Sequence, residues 1–287
     1  MPRSGWVKPQ TDQRLSDHIS IGVLTRVFPP ELVDQVVAEA GRVEQRHRLL
    51  PARVVVYYVL AMALFADASY EEVMRMLVEG LAWQSGWQQA WEVPAKGSIF
   101  KARSRLGREP VRRLFEAVAG PMADARTPGA FYRQWRLVSL DGTCLDVADT
   151  PANEQEFGRP GSSRRDGGGA FPQVRLVALS ETGTHAICAA ALAPLSRSEN
   201  ALADELLAGL APGMLCLADR GFYSFARFQN ARRTGAHLLW RVPVNLLLPR
   251  EQPLADGSYL TRIYANQPNQ RAHRDGQPVR VVEYPAR

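Results

Sequence analysis

"MLCLADRGFYSF", Met214 to Phe225, is an apolar run that stops on an aspartate and then turns through a glycine flanked by an arginine and two aromatics. Five apolar residues between Pro212-Gly213 and Gly221 are too few for a helix, and this punctuation predicts a short buried strand. Its last residue, Asp219, falls where the strand meets the loop. A second run, "RLVSLD" (Arg136 to Asp141), has the same shape and also ends on an aspartate. These two strand ends organise the reading of the surrounding chain.

Around them the periodicity alternates between strand and helix. "QWRLVSLDGTCLDV" (134–147), "FPQVRLVALSE" (171–181) and "THAICAAALAP" (184–194) read as three strands, with Glu181-Thr182-Gly183 a tight turn between the last two. Then come a helix over "SENALADELLAGL" (198–210), the strand "MLCLAD", a helix over "SFARFQNARRTG" (224–235) and the strand "HLLWRVP" (237–243). The order β-β-β-α-β-α-β predicts an α/β fold with one mixed sheet over residues 129–243, an antiparallel meander leading into right-handed crossovers. In such a layout the first and fourth strands are expected to be neighbours, which would bring Asp141 and Asp219 out at the centre of the sheet on the same side.

Upstream the pattern is helical. Residues 1–15 are polar, with Pro2 and Pro9, and read as a flexible tail. Residues 16–128 read as an all-helical domain: Pro29-Pro30 opens "ELVDQVVAEAG" with Gly41 at its end, Pro51 opens "VVVYYVLAMALFA", and Ser69 with Glu72 three residues on marks the next start. Trp83, Trp87 and Trp91 recur at i, i+4 and i+8, as a core stripe does. "PAKGSIFKARSRLGREPVRRLFEAV" (94–118) is rich in Lys and Arg and reads as two helices joined around Gly107 and Pro110. Such a pair resembles a helix-turn-helix with Arg103 and Arg105 as DNA-contact candidates; a solvated basic face on a structural helix fits the same pattern. Residues 244–287 are irregular and hairpin-like, the expected beginning of a further β element.

The 287 residues carry 35 Lys+Arg against 29 Asp+Glu, and nearly all of the cations are arginine. Arginine's planar fork suits phosphate, although the same excess also follows from genomic base composition. Cys144, Cys188 and Cys216 stand singly, so neither a disulfide framework nor a zinc site is expected, and a reducing cytoplasm is. The longest apolar stretch, Val54 to Ala66, is too short to span a bilayer.

Two carboxylates a few ångströms apart repel and lose hydration, and a divalent cation between them removes both costs. Mg²⁺ takes hard oxygen ligands, keeps several waters and accepts the rest from phosphate. Two such ions about 4 Å apart serve in-line attack on a phosphodiester. Asp141 and Asp219 are therefore candidate metal ligands and catalytic residues; each would equally serve to cap the turn that follows it. Asp146 and Asp149 read as outer groups or as surface acids. In "GRPGSSRRDGGGAFPQ" (158–173), Arg159, Arg164 and Arg165 among glycines are candidates for phosphate contact or the arginines of a plain hairpin, and Arg220 would face a DNA backbone or pair locally.

With these residues on the page, the chain resembles the DDE transposases of bacterial insertion sequences, in the branch called insertion sequence four. "FPPELVDQVVAEAG" and "RHRLLPARVVVYYVLAMALF" resemble that family's helical N-terminal domain, "LVSLDGTCLDVADTPAN" its first catalytic aspartate segment, "GAFPQVRLVALSETGTHAI" the meander after it, and "LCLADRGFYSF" its second. The resemblance implies a ribonuclease H-like core, Mg²⁺ or Mn²⁺ held by Asp141 and Asp219, and binding of double-stranded DNA at terminal inverted repeats and target. It further implies oligomerisation on the DNA ends, cut-and-paste strand cleavage and transfer, and a cytoplasmic, nucleoid-associated location.

The family's third carboxylate lies in the pattern Y-x2-R-x3-E-x6-K, on a helix that follows an inserted β domain. Here Tyr259 and Arg262 match the first gap, but Asn266 and His273 stand where Glu and Lys belong, with no helix expected; Tyr284 and Arg287 flank Pro285. The chain is thus expected to stop inside the inserted domain, as a truncated or frameshifted copy that is inactive alone. Two other readings stay open: a non-catalytic DNA-binding fragment that competes with full-length transposase, and a nuclease that recruits Glu283 as a ligand.

Overall fold

The computed structural model describes residues 21–46, 48–85, 93–160 and 171–284. Trp87 and Trp91 of the expected stripe, Arg164, Arg165 and the expected tail lie outside them. The chain divides into two compact units after Val118.

The first unit is helical: α1 (Ile21–Val27), α2 (Pro30–Glu39), α3 (Ala52–Leu64), α4 (Tyr70–Ser85), α5 (Lys96–Leu106) and α6 (Glu109–Val118). Pro30 and Pro51 stand at helix starts, where a missing N–H costs nothing, and Gly41 takes φ 65° to end α2. Apolar almost all round, α3 is the central helix, burying Val55, Val56, Tyr57, Tyr58 and Ala61. Two of those residues carry hydroxyls, and both find acceptors: Tyr57 donates to the Phe28 carbonyl at 2.6 Å and Tyr58 to the Tyr70 carbonyl at 3.1 Å. Burial pushes both phenols up to about 12. The Ser69 hydroxyl accepts from Glu72 N–H at 3.2 Å at the start of α4. Gly107, at φ 68°, turns the chain between α5 and α6.

The second unit holds a mixed sheet in the spatial order β4-β3-β2-β5-β6. Its strands are β1 (Phe131–Tyr132), β2 (Trp135–Asp146), β3 (Gln173–Glu181), β4 (Ile187–Pro194), β5 (Met214–Ala218) and β6 (His237–Trp240), with β1 a short hairpin arm on β2. β2, β3 and β4 run antiparallel in sequence, whereas β5 and β6 join parallel to β2 and to each other. Parallel neighbours need crossovers, supplied by α8 (Glu199–Leu206) and α9 (Phe225–Arg233). Ser198 and Ser224 cap them, accepting from Ala201 N–H at 3.1 Å and Arg227 N–H at 3.2 Å.

Alternation along the strands gives the sheet two unlike faces. Val138, Leu140, Val177, Leu179, Cys216, Ala218 and Trp240 share one core with Leu202, Ala203, Leu206 and Ala231 of the crossover helices. The other face carries Ser139, Asp141, Leu192 and Leu239, the last two 63% and 55% exposed. A second, three-stranded sheet, β7-β8-β9, is built from Gln252–Pro253, Tyr259–Ile263 and Gln277–Val281.

The structure adds to and corrects the sequence expectations. Glu181, which ends β3 at the turn as read, is also fully buried. Its Oε2 accepts from Met122 N–H at 3.1 Å and Ala123 N–H at 2.8 Å and from the Thr184 hydroxyl, and its Oε1 pairs with Arg136. Burial pushes its carboxyl up, but these donors outweigh that and hold it below the usual range. This anchor ties residues 122 and 123 to the sheet. The helix α7 (Pro151–Phe157), capped by Thr150, occupies a stretch to which the sequence reading assigned no element. A one-turn helix, α10 (Gln267–Arg271), lies where none was expected, with Asn266 as its cap. The last strand of the main sheet ends at Trp240, short of Pro243.

Candidate active site

The pairing of β2 with β5 fixes the site. Val138 lies opposite Cys216 and Leu140 opposite Ala218, and the next residue on each side is Asp141 and Asp219. Asp219 keeps an extended backbone (φ −76°, ψ 167°), so it continues the line of β5. Neighbouring strands stand about 4.8 Å apart, and in a parallel register equivalent residues point to the same face. The two carboxylates therefore sit side by side at the edge where β5 ends, on the face opposite the crossover helices. β2 itself continues to Asp146 against β3, so from Asp141 onward its β5 side is open.

Both are exposed. An Asp141 oxygen accepts from Gly142 N–H at 2.8 Å. Asp219 lies 3.8 Å from Arg241, with both side chains more than half exposed, an ion pair worth little in water. Arg220 follows immediately, exposed, in a single 3₁₀ turn (Arg220–Phe222). Two exposed, hard-oxygen carboxylates on adjacent strands suit a cation that retains most of its waters, so the donor set fits Mg²⁺ or Mn²⁺. Among the described residues, no three of His, Cys, Asp and Glu converge on one point.

The remaining candidates are dispersed. Asp146 is five residues further along β2, about 17 Å away at strand rise, and accepts from the Gln173 amide. Asp149 and Glu154 pair with Arg159. Arg103 stacks over the Tyr70 ring at 5.3 Å, and Arg105 donates to the Leu50 carbonyl at 3.4 Å, so both contribute to the helical unit's own packing. Tyr259 and Arg262 lie on β8, not on a helix, and His273 has φ 51°. Glu283 is taken up by Arg250 and by the Tyr259 hydroxyl at 3.3 Å.

Sequence reasoning missed one neighbour. Glu199, the first residue of α8, lies directly over Gly142: a Cβ on that glycine would stand 2.8 Å from the Glu199 carboxyl carbon and 3.1 Å from its Cγ. The available signal was the Ser198 cap, which places Glu199 in the first turn of a crossover helix beginning beside β2.

Comparison with known proteins follows the same division. The model described as insertion element 4 transposase N-terminal matches residues 18–116, and the one described as transposase DDE domain matches residues 134–284. The transposase InsG for insertion sequence element IS4 of Escherichia coli (strain K12) is 30% identical over 236 residues, 82% of this chain and 51% of that one. A second relative from that strain, InsZ, is 25% identical over 233 residues, 81% of this chain and 75% of its own length. The piggyBac transposase synaptic complex with hairpin DNA aligns with a TM-score of 0.41 at 13% identity, over 93% of this chain and 62% of that one. The chain spans about half the length of InsG. With a helical segment matching one family model and the sheet that carries Asp141 and Asp219 matching the other, the chain belongs to the DDE transposases of the insertion-sequence-four family.

Proposed function

We propose that Asp141 and Asp219 hold a divalent cation in a ribonuclease H-like core and that the chain acts on double-stranded DNA at transposon ends. The observation that carries this reading is the β2–β5 register, which sets two unpaired-edge aspartates side by side where phosphate can approach from solvent. A bound Mg²⁺ or Mn²⁺ would supply Lewis acidity toward a phosphodiester oxygen and lower the pKa of an attacking water or 3′-hydroxyl. The two carboxylates orient that cation. Arg220, exposed beside Asp219, lies where a guanidinium would meet a DNA phosphate, with Arg159 and the basic helix α5 as further contacts.

Two carboxylates are few for a two-ion phosphoryl-transfer centre, and Glu283 is already engaged by Arg250. In this reading the 287-residue chain binds terminal-repeat DNA, as an oligomer on the ends, and cleaves it slowly or not at all. Binding without cleavage would make it a competitor of transposases that cleave the same ends. The test is an electrophoretic shift and a nicking assay on duplex DNA bearing the terminal repeats, with Mg²⁺ or Mn²⁺. Retained binding with little cleavage, and an Asp141→Ala variant that binds equally well, would support it. Robust metal-dependent cleavage by the purified chain would overturn the inactivity, and loss of DNA binding altogether would overturn the whole reading.

A further inference from the structure

We infer that Glu199 is a third carboxylate serving the cation of Asp141 and Asp219, acting on it through coordinated water; this rests on those two residues being its ligands. Glycine at 142 is what allows the approach, since any side chain there would occupy the place of the Glu199 carboxyl group. The contact falls at the point where β2 loses β5 as a neighbour, next to Asp141 in sequence. Asp141 and Asp219 flank the open edge from one face of the sheet. Glu199 flanks it from the other, the face on which α8 packs.

The charge of Glu199 has no other use among the described residues. It is half-buried, with no hydrogen bond or ion pair there. Among the described residues, the arginine just before its helix and those on the elements packed against it bond elsewhere: Arg197 pairs with Glu205, Arg175 donates to the Arg197 carbonyl at 2.7 Å, and Arg227 pairs with Asp204. The α8 N-terminus favours a negative charge in its first turn, but it would favour one turned into water equally well. A half-buried carboxylate with no partner among the described residues, held against the strand that carries another, is a cost that a cation at the edge offsets. The contact runs through one of the waters that Mg²⁺ and Mn²⁺ retain.

The experiment is Mn²⁺ binding to the purified 287-residue chain, read by the electron paramagnetic resonance signal of free Mn²⁺. Glu199→Gln keeps the shape and removes the charge; Gly142→Ala keeps the charge and displaces it. Each is expected to weaken binding about tenfold, the usual scale for an outer carboxylate, while Glu251→Gln binds as the parent does. Circular dichroism in EDTA checks that each variant is folded, and either one suffices if the other is not. If Asp141→Asn and Asp219→Asn lose binding while Glu199→Gln and Gly142→Ala retain it, the role of Glu199 is overturned and the two-aspartate site stands. If the parent chain binds no Mn²⁺, or if the aspartate variants bind it unchanged, the underlying reading fails and takes this inference with it.

Discussion

Asp141 and Asp219 are 78 residues apart in sequence and one register step beyond the paired Leu140 and Ala218 in space (219 − 141 = 78). Their adjacency depends on backbone pairing alone and needs no side-chain contact. Replacing either carboxylate should therefore leave the sheet intact.

The first prediction follows. Cation at about a hundred times its dissociation constant stabilises a folded protein by about 2.7 kcal/mol. Melting the parent chain with and without Mn²⁺ should show a rise of several degrees, and Asp141→Asn or Asp219→Asn should abolish that rise while melting normally in EDTA. A cation-dependent rise that survives both substitutions would place the cation elsewhere.

Glu181 is the most consequential buried charge in the sheet unit. Glu181→Ala leaves the N–H groups of Met122 and Ala123 without their acceptor and Arg136 with only the Ala123 carbonyl, and should cost about 3 kcal/mol or more. Urea denaturation followed by tryptophan fluorescence measures it. A loss below about 1 kcal/mol would mean that solvent replaces the acceptor.

The same carboxyl gives a pH signature. Its pKa is held below the ordinary value, so the unfolded chain binds its proton more readily than the folded one. Its contribution is complete above the unfolded pKa of about 4.3 and is lost as pH falls through the lower folded value. The difference in melting temperature between the parent and Glu181→Gln should be constant near neutrality and shrink only below about pH 4.3. Shrinkage that begins near pH 6 would assign the effect to another group.

Arg227 is 7% exposed and bonds Asp204 at 2.7 Å, the Asn200 side chain at 2.9 Å and the Phe222 carbonyl at 2.8 Å. It joins α9 to α8 and to the turn after Asp219. Arg227→Met should destabilise by about 3 kcal/mol, because Asp204 and the Phe222 carbonyl lose their donor. Proteolysis should then cut sooner between residues 219 and 224. A protection pattern unchanged from the parent would count against this tie.

Thiol labelling checks the packing of β2 and β5. Cys144 is exposed on β2, whereas Cys216 is buried on β5 and burial pushes its thiol up to about 11. At pH 8 Cys144 should react promptly and Cys216 only on unfolding. Prompt reaction of both would show that the core face of β5 opens in the native state.

What the chain discloses on its own is whatever local chemistry decides. Apolar alternation marked the strands from Trp135 to Trp240, Ser69 marked the start of α4, and Gly107 marked the turn between α5 and α6, because periodicity and capping act within a few residues. The two aspartates were legible too, each an acid closing an apolar run. The short helices α7 and α10 were not, since one or two turns leave little periodic signal. The strand order also led to β2 beside β5, and the register then fixes Asp141 and Asp219 side by side. Tertiary structure alone decided two things. It buried Glu181 by drawing donors from Arg136 and residues 122 and 123, many positions distant in sequence. And it laid Glu199 over Gly142, a contact that depends on where the α8 crossover returns to the sheet and on the missing side chain that lets it come close.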